Sequence, residues 1–244
     1  MAQSVEVHVF VRRQDKYIES SYCQYVTAGL WIGNIQPQSD SFIANLASSM
    51  DHHANFELWR SLSGADHFFP VPYVNADTSD IFFRSIGAQE ALVQVEGRRN
   101  AREPVDFLRA SVFAGETIAD RLGFGHHKFA DLNKRFGFRA NIRQKLTQAF
   151  AESGVLDPKY AFLPEATLRR LDDTYRAAND AVLDAYGMEQ SAGFSTFEFD
   201  EKLYVDLGIQ SVNPEHFALI FKALTEQLYE LDLRLIARAS ENVQ

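Results

Sequence analysis

Arg12 and Arg13 stand side by side where a run of β-branched residues gives way to a helical pattern, and Ser20 and Ser21 follow, each eight residues behind its arginine. A guanidinium grips phosphate through two parallel N–H bonds, and a hydroxyl one to two turns into the next helix can add a further donor. If residues 5 to 11 form a parallel strand, the arginines lie at its carboxyl end, where open α/β sheets place their ligands. The helix that follows would aim unpaired N–H groups and the positive end of its dipole at the same place. That combination predicts a phosphate site. Without a ligand, the same residues read as solvated strand-end charges followed by ordinary helix surface.

Other residues carry weaker chemistry. His52-His53 and His126-His127 invite a metal, and His127 with Asp131 has the i, i+4 spacing that sets two ligands on one helix face. Adjacent histidines, however, point in different directions on a helix or a strand, so polar surface or capping roles are expected and no metal. Cys23 is the single cysteine; it excludes an intrachain disulfide or a multi-cysteine zinc site, and reads as a small buried hydrophobe rather than a nucleophile. Arg98, Arg99 and Arg102 in "GRRNAREP" could meet a phosphate or an anionic sugar, or form a solvated loop before a helix at Pro104. "NKRFGFRANIRQK", with Lys134, Arg135, Arg139, Arg143 and Lys145, alternates basic and aromatic residues as a stacking surface does, and equally as a peripheral cationic helix does.

The elements that must position the arginine corner can be read from periodicity. Val5, Val7, Val9 and Val11 recur at period two with Phe10 on the other face, which predicts a strand over residues 5 to 11 buried on both sides, in the middle of a sheet. Asp15 is expected to cap a helix from about Lys16 to Ala28. Helical patterns follow at Phe42, Ile43 and Leu46 and again from Phe56 to Leu62. "HFFPVPYV", residues 67 to 74, is extended because Pro70 and Pro72 restrict their predecessors, and suits an edge or terminal strand. Thr78 or Ser79 and Gly87 bracket a further helix as N- and C-caps. Beyond it the chain is mostly helical, over about 104 to 122, 139 to 152, 164 to 187 and 214 to 239.

The corner resembles the 3'-phosphate-binding element of sulfotransferases that use 3'-phosphoadenosine 5'-phosphosulfate (PAPS), in which a strand ends in Arg and a Ser lies eight residues on. Arg12 and Ser20 carry that spacing, with Tyr22 as the aromatic two places after the serine in the carbohydrate branch; Arg13 and Ser21 form the rival register of the small-molecule branch. "VFVRRQDKYIESSYCQ" is similar to bacterial sulfotransferase-like proteins of surface-polysaccharide synthesis. "FLPEATLRRLDDTYRAANDAVLDAYG" looks like their closing helix, with Leu171, Tyr175, Asn179 and Tyr186 in the patterned places. The resemblance covers residues 5 to 187 in outline. It implies a P-loop-like α/β fold with few strands and a predominantly helical C-terminal half, PAPS or its product as cofactor, and a carbohydrate hydroxyl as acceptor of the sulfuryl group.

The family also needs a loop for the 5'-phosphosulfate and a catalytic His or Glu upstream of this element, and only "MAQS" precedes Val5. "GLWIGN" and "GFGHHK" have glycines without the P-loop spacing, so the catalytic residue is left unassigned. Either missing strands belong to a longer native chain, or this is a shortened relative that binds or assembles without transferring sulfate. A nucleotide-sugar glycosyltransferase would also use a cationic strand-end pocket.

At 244 residues with 46% hydrophobic content, the chain can bury a sizeable core. We expect an α/β domain over 1 to 190, a Gly- and Ser-rich linker over 191 to 213, and an amphipathic helix within 214 to 244. Phe217, Ile220, Phe221, Leu224, Leu228, Leu231, Leu235 and Ile236 form a stripe along that helix that either joins the core or pairs copies of the chain through residues 214 to 239. A net charge of -9 gives nucleic acid no general attraction. No apolar run reaches the roughly 18 residues of a membrane span, and no secretory h-region opens the chain, so the cytoplasm is the expected compartment.

Overall fold

The computed structural model describes residues 6–27, 37, 39–63, 67–72, 82–84, 86–88, 104–122, 144, 145, 148, 159–186, 194 and 197–241. The basic and histidine-bearing stretches at residues 98–102 and 126–131, most of 133–152, and the expected N-cap of the helix ending near Gly87 fall outside them. In chain order the elements are β1 (Val7–Val11), α1 (Gln14–Thr27), α2 (Asp40–Met50), α3 (His52–Ser63), β2 (Phe68–Pro72), α4 (Val105–Leu122), α5 (Glu165–Tyr186), a 3-10 turn (Ile209–Ser211) and α6 (Pro214–Glu241). Among the described residues the structure is mixed and mostly helical, with one small parallel sheet.

Two compact units divide the chain: Met1–Ser20 with Pro37–Ala101 and Leu163–Lys202, and Ser21–Gln36 with Arg102–Phe162 and Leu203–Gln244. The division falls inside α1, between Ser20 and Ser21.

In the first unit β1 pairs in parallel with β2, from Val7 opposite Phe68 to Val11 opposite Pro72. The parallel direction matches the expectation from the arginine corner; the burial does not. Only Val11 is buried, whereas Val7 to Phe10 are half-buried, so β1 is not the doubly covered central strand that its valines suggest. The sheet among the described residues has two strands, and Pro70 and Pro72 bring no N–H groups to the ladder. Val7, Val9 and Val11 share one face, as period two requires, and pack on a cluster of Phe56, Phe68, Val182, Phe194 and Tyr186. Phe56 meets Phe68 and Tyr186 edge-on, at ring-centroid distances of 5.3 and 5.4 Å.

Caps explain where the helices begin and end. Ser39 Oγ accepts the Phe42 N–H at 3.3 Å at the start of α2. Asp51 closes α2 and opens α3, its carboxylate accepting the Ala54 N–H at 2.9 Å. The expected C-cap at Gly87 is present: φ is 68°, the Gly87 N–H reaches the Arg84 carbonyl, and the Ala88 N–H reaches the Phe83 carbonyl. This is the two-bond Schellman arrangement, which needs the left-handed conformation glycine tolerates best.

In the second unit α4 packs on α6 and on the 3-10 turn. A short parallel bridge joins Ala161 to Tyr204, through Ala161 N–H to the Leu203 carbonyl and Val205 N–H to the Ala161 carbonyl, both 2.8 Å. Phe107, Leu108, Phe162, Leu207, Val212 and Ile220 are among its buried residues, so parts of the stretch read as a linker contribute to a core.

Candidate functional site

The corner is built as the sequence implies: β1 ends at Val11, Arg12 and Arg13 follow, and α1 begins at Gln14. The Arg13 carbonyl accepts the Tyr17 N–H at 2.9 Å, which makes Arg13, rather than Asp15, the residue that starts the helix. α1 therefore begins two residues earlier than expected and places Asp15 inside its first turn. A carboxylate there meets the positive end of the helix dipole.

Asp15 is 2% exposed and is neutralised by Arg13, whose Nε and second guanidinium nitrogen donate to its two oxygens at 2.6 and 2.9 Å. The Arg13 guanidinium also lies over the Phe197 ring, 5.5 Å from its centre. Lys16 Nζ stands 3.5 Å from Asp15 and 3.3 Å from Glu19, a second buried carboxylate. The corner thus gathers Arg13 and Lys16 around the buried carboxylates of Asp15 and Glu19.

Arg13 is committed to Asp15, and Ser21 is buried; Arg12 and Ser20 are both half-buried. Ser20 lies six positions beyond Gln14, roughly 9 Å along the helix axis from its start. Tyr22, the aromatic that accompanies Ser20, is buried with its ring 5.5 Å from that of Phe162. Cys23 is half-buried.

Two further groups hold the corner. His52 Nε2 donates to the Arg12 carbonyl at 2.9 Å, which fixes the tautomer with its proton on Nε2. Burial between Phe56 and Phe194 pushes the His52 pKa below its ordinary value, against the opposing pull of the Arg12 carbonyl and Asp51. The histidine pair thus splits as its geometry requires, since His53 is exposed. Gln14 and Asn179, both fully buried, exchange two amide hydrogen bonds of 2.8 and 3.0 Å, and Gln14 Nε2 also donates to the Met50 carbonyl at 3.1 Å. The first residue of α1 is thereby tied to α5 and to the end of α2. A polar residue at Gln14 between two charged neighbours gives no sign of burial in the sequence, and Asn179 stands out there only through the helix resemblance.

The second unit contains a polar cluster that the sequence reading missed. Asp106 on α4 accepts from Arg109 at 2.7 Å through one oxygen and meets His216 Nδ1 of α6 at 2.5 Å through the other. Arg109 also donates to the Asp206 carbonyl through Nε at 2.7 Å. The i, i+3 spacing of Asp106 and Arg109 is its only sequence signal. Among the described residues no three His, Cys, Asp or Glu side chains converge as a metal site requires, and no helix is long and apolar enough to cross a membrane.

Comparison with known protein families, curated proteins and solved structures finds no match for this chain.

Proposed function

We propose that the chain is a sulfotransferase-like protein whose strand-to-helix corner holds the 3'-phosphate of PAPS, with Arg12 gripping the phosphate and Ser20 donating to it. The observation that carries this reading is the parallel pairing of β1 with β2, which sets Arg12 at the carboxyl end of a parallel strand and directly before the N-terminus of α1. The commitment of Arg13 to Asp15 favours the register Arg12 and Ser20 over Arg13 and Ser21. In the reaction this implies, a carbohydrate hydroxyl oxygen forms a bond to sulfur while the sulfur–oxygen bond to the nucleotide breaks. The sulfuryl group leaves adenosine 3',5'-bisphosphate behind, and the hydroxyl proton passes to a base. Positioning and charge stabilisation supply most of such catalysis, and the corner contributes by anchoring the nucleotide.

Calorimetric titration with adenosine 3',5'-bisphosphate tests the proposal. The wild type should bind, and Arg12→Ala should weaken binding by roughly 10- to 100-fold, the worth of a charge-assisted hydrogen-bond pair. His52 bonds to the backbone carbonyl of Arg12, so the substitution keeps that hydrogen bond. No binding by the wild type, or equal binding by both proteins, overturns the reading. Binding of a nucleotide sugar in its place would identify a glycosyltransferase.

A further inference from the structure

The register of β1 ends with Val11 opposite Pro72, and the first bond of α1 takes the Arg13 carbonyl. Arg12 therefore stands between strand and helix, past the register of the one and before the first turn of the other. Its carbonyl accepts the Nε2–H of His52 at 2.9 Å, across 40 residues of sequence. A planar trans peptide has no soft torsion of its own, so fixing the Arg12 carbonyl also fixes the Arg13 N–H, which points the opposite way. The donor is itself held. His52 is the first residue of α3, directly after the Asp51 that caps the helix, and is buried with its ring against Phe56 and Phe194 at centroid distances of 6.3 and 5.8 Å. Phe56 and Phe194 share a cluster with Val11, so the residue before Arg12 and the donor to Arg12 rest on the same packed core.

We infer that His52 is a positioning residue for phosphate binding: its Nε2–H sets the backbone from which the Arg12 side chain reaches the ligand. The inference rests on the reading of the corner as a 3'-phosphate site, and it adds to that site a residue of α3 that never touches the phosphate. Hydrogen bonds weaken steeply as the donor turns away from its acceptor, and groups that bind a ligand must be held within about 0.5 Å of their working geometry by supports of this kind. A histidine that only filled the core would be replaceable by any ring of similar size. His52 instead brings one N–H to one carbonyl at the point where strand becomes helix. An amide donor at the same position can do the same work, and an apolar ring cannot.

Titration of the full chain with adenosine 3',5'-bisphosphate at neutral pH, for the wild type, His52→Gln and His52→Phe, tests this. Gln sets an amide N–H near the place of the imidazole Nε2 and should bind within about twofold of the wild type. Phe keeps a ring against Phe56 and Phe194 but has no donor, and should bind about tenfold more weakly while its circular dichroism remains that of the folded protein. His52→Leu repeats the donor-free measurement with a smaller side chain, and failure of both donor-free variants to fold would assign His52 to the core alone and overturn the inference. Equal binding by wild type and a folded donor-free variant also overturns it, as does equal weakening in His52→Gln and His52→Phe; either result leaves the phosphate site standing. A wild type that does not bind overturns the phosphate reading itself, and this inference with it.

Discussion

The amide pair between Gln14 and Asn179 offers the sharpest test of how the arginine corner is held. Both side chains are fully buried; Gln14 uses its two N–H groups on Asn179 and the Met50 carbonyl, and its oxygen accepts from Asn179. Asn179→Leu is close in shape but leaves Gln14 with a donor and its oxygen unsatisfied. At about 1–3 kcal/mol for each buried group left without its partner, partly offset by the added apolar burial, the expected loss is about 2–4 kcal/mol. Gln14→Met strands Asn179 and the Met50 carbonyl together and should cost at least as much. The double substitution Gln14→Met with Asn179→Leu removes both partners and strands only the Met50 carbonyl, so it should cost about 1–3 kcal/mol, less than either single loss added to the other.

Urea unfolding of the four proteins, followed by circular dichroism, gives the coupling directly. We expect a coupling of about 2 kcal/mol or more, towards the upper range for residues in direct contact. If the double loss equals the sum of the single losses within about 0.5 kcal/mol, the reciprocal pair is not what fastens α1 to α5. Because Gln14 directly follows the two arginines, Asn179→Leu should also weaken adenosine 3',5'-bisphosphate binding at temperatures where the protein remains folded. A purely global role would leave that affinity unchanged.

Two other expectations follow from buried ionisable groups. The folded-state pKa of His52 lies below its ordinary value of 6.5, so as the pH falls the unfolded chain takes up this proton first. The stability contributed by neutral His52 is therefore complete above about pH 6.5 and is lost as the pH drops below it; His52→Gln should flatten this part of the stability profile, and a profile identical to wild type would refute the assignment. Asp106 is a buried carboxylate serving both Arg109 and His216, and Asp106→Ala leaves the Arg109 charge without its carboxylate. A loss of about 3–5 kcal/mol is expected in chemical unfolding, with His216→Ala costing less; a loss under about 1 kcal/mol for Asp106→Ala would show that the cluster does not hold α4 to α6.

The features that were legible in the sequence are those written in local spacing. Period two in Val7, Val9 and Val11 locates β1, Pro70 and Pro72 mark the extended β2, Gly87 marks a helix end, and apolar three- and four-residue steps place α5 and α6 within one to two residues. The error about β1 has a physical origin: valines on one face of a strand and Phe10 on the other say that it tolerates burial, but coverage depends on which segments pack there. The site was legible only in part for a related reason. Arg12 and Arg13 are indistinguishable as neighbours, and what separates them is the buried Asp15, whose pairing with Arg13 depends on α1 starting at Gln14 rather than near Lys16. A shift of two residues in a helix start turns a capping aspartate into the counter-ion of one arginine. It thereby decides which cation an incoming phosphate would have to compete for. A phosphate approaching Arg13 would have to displace a buried carboxylate. On this ground loss of Arg13 is expected to act first on stability, by uncovering Asp15.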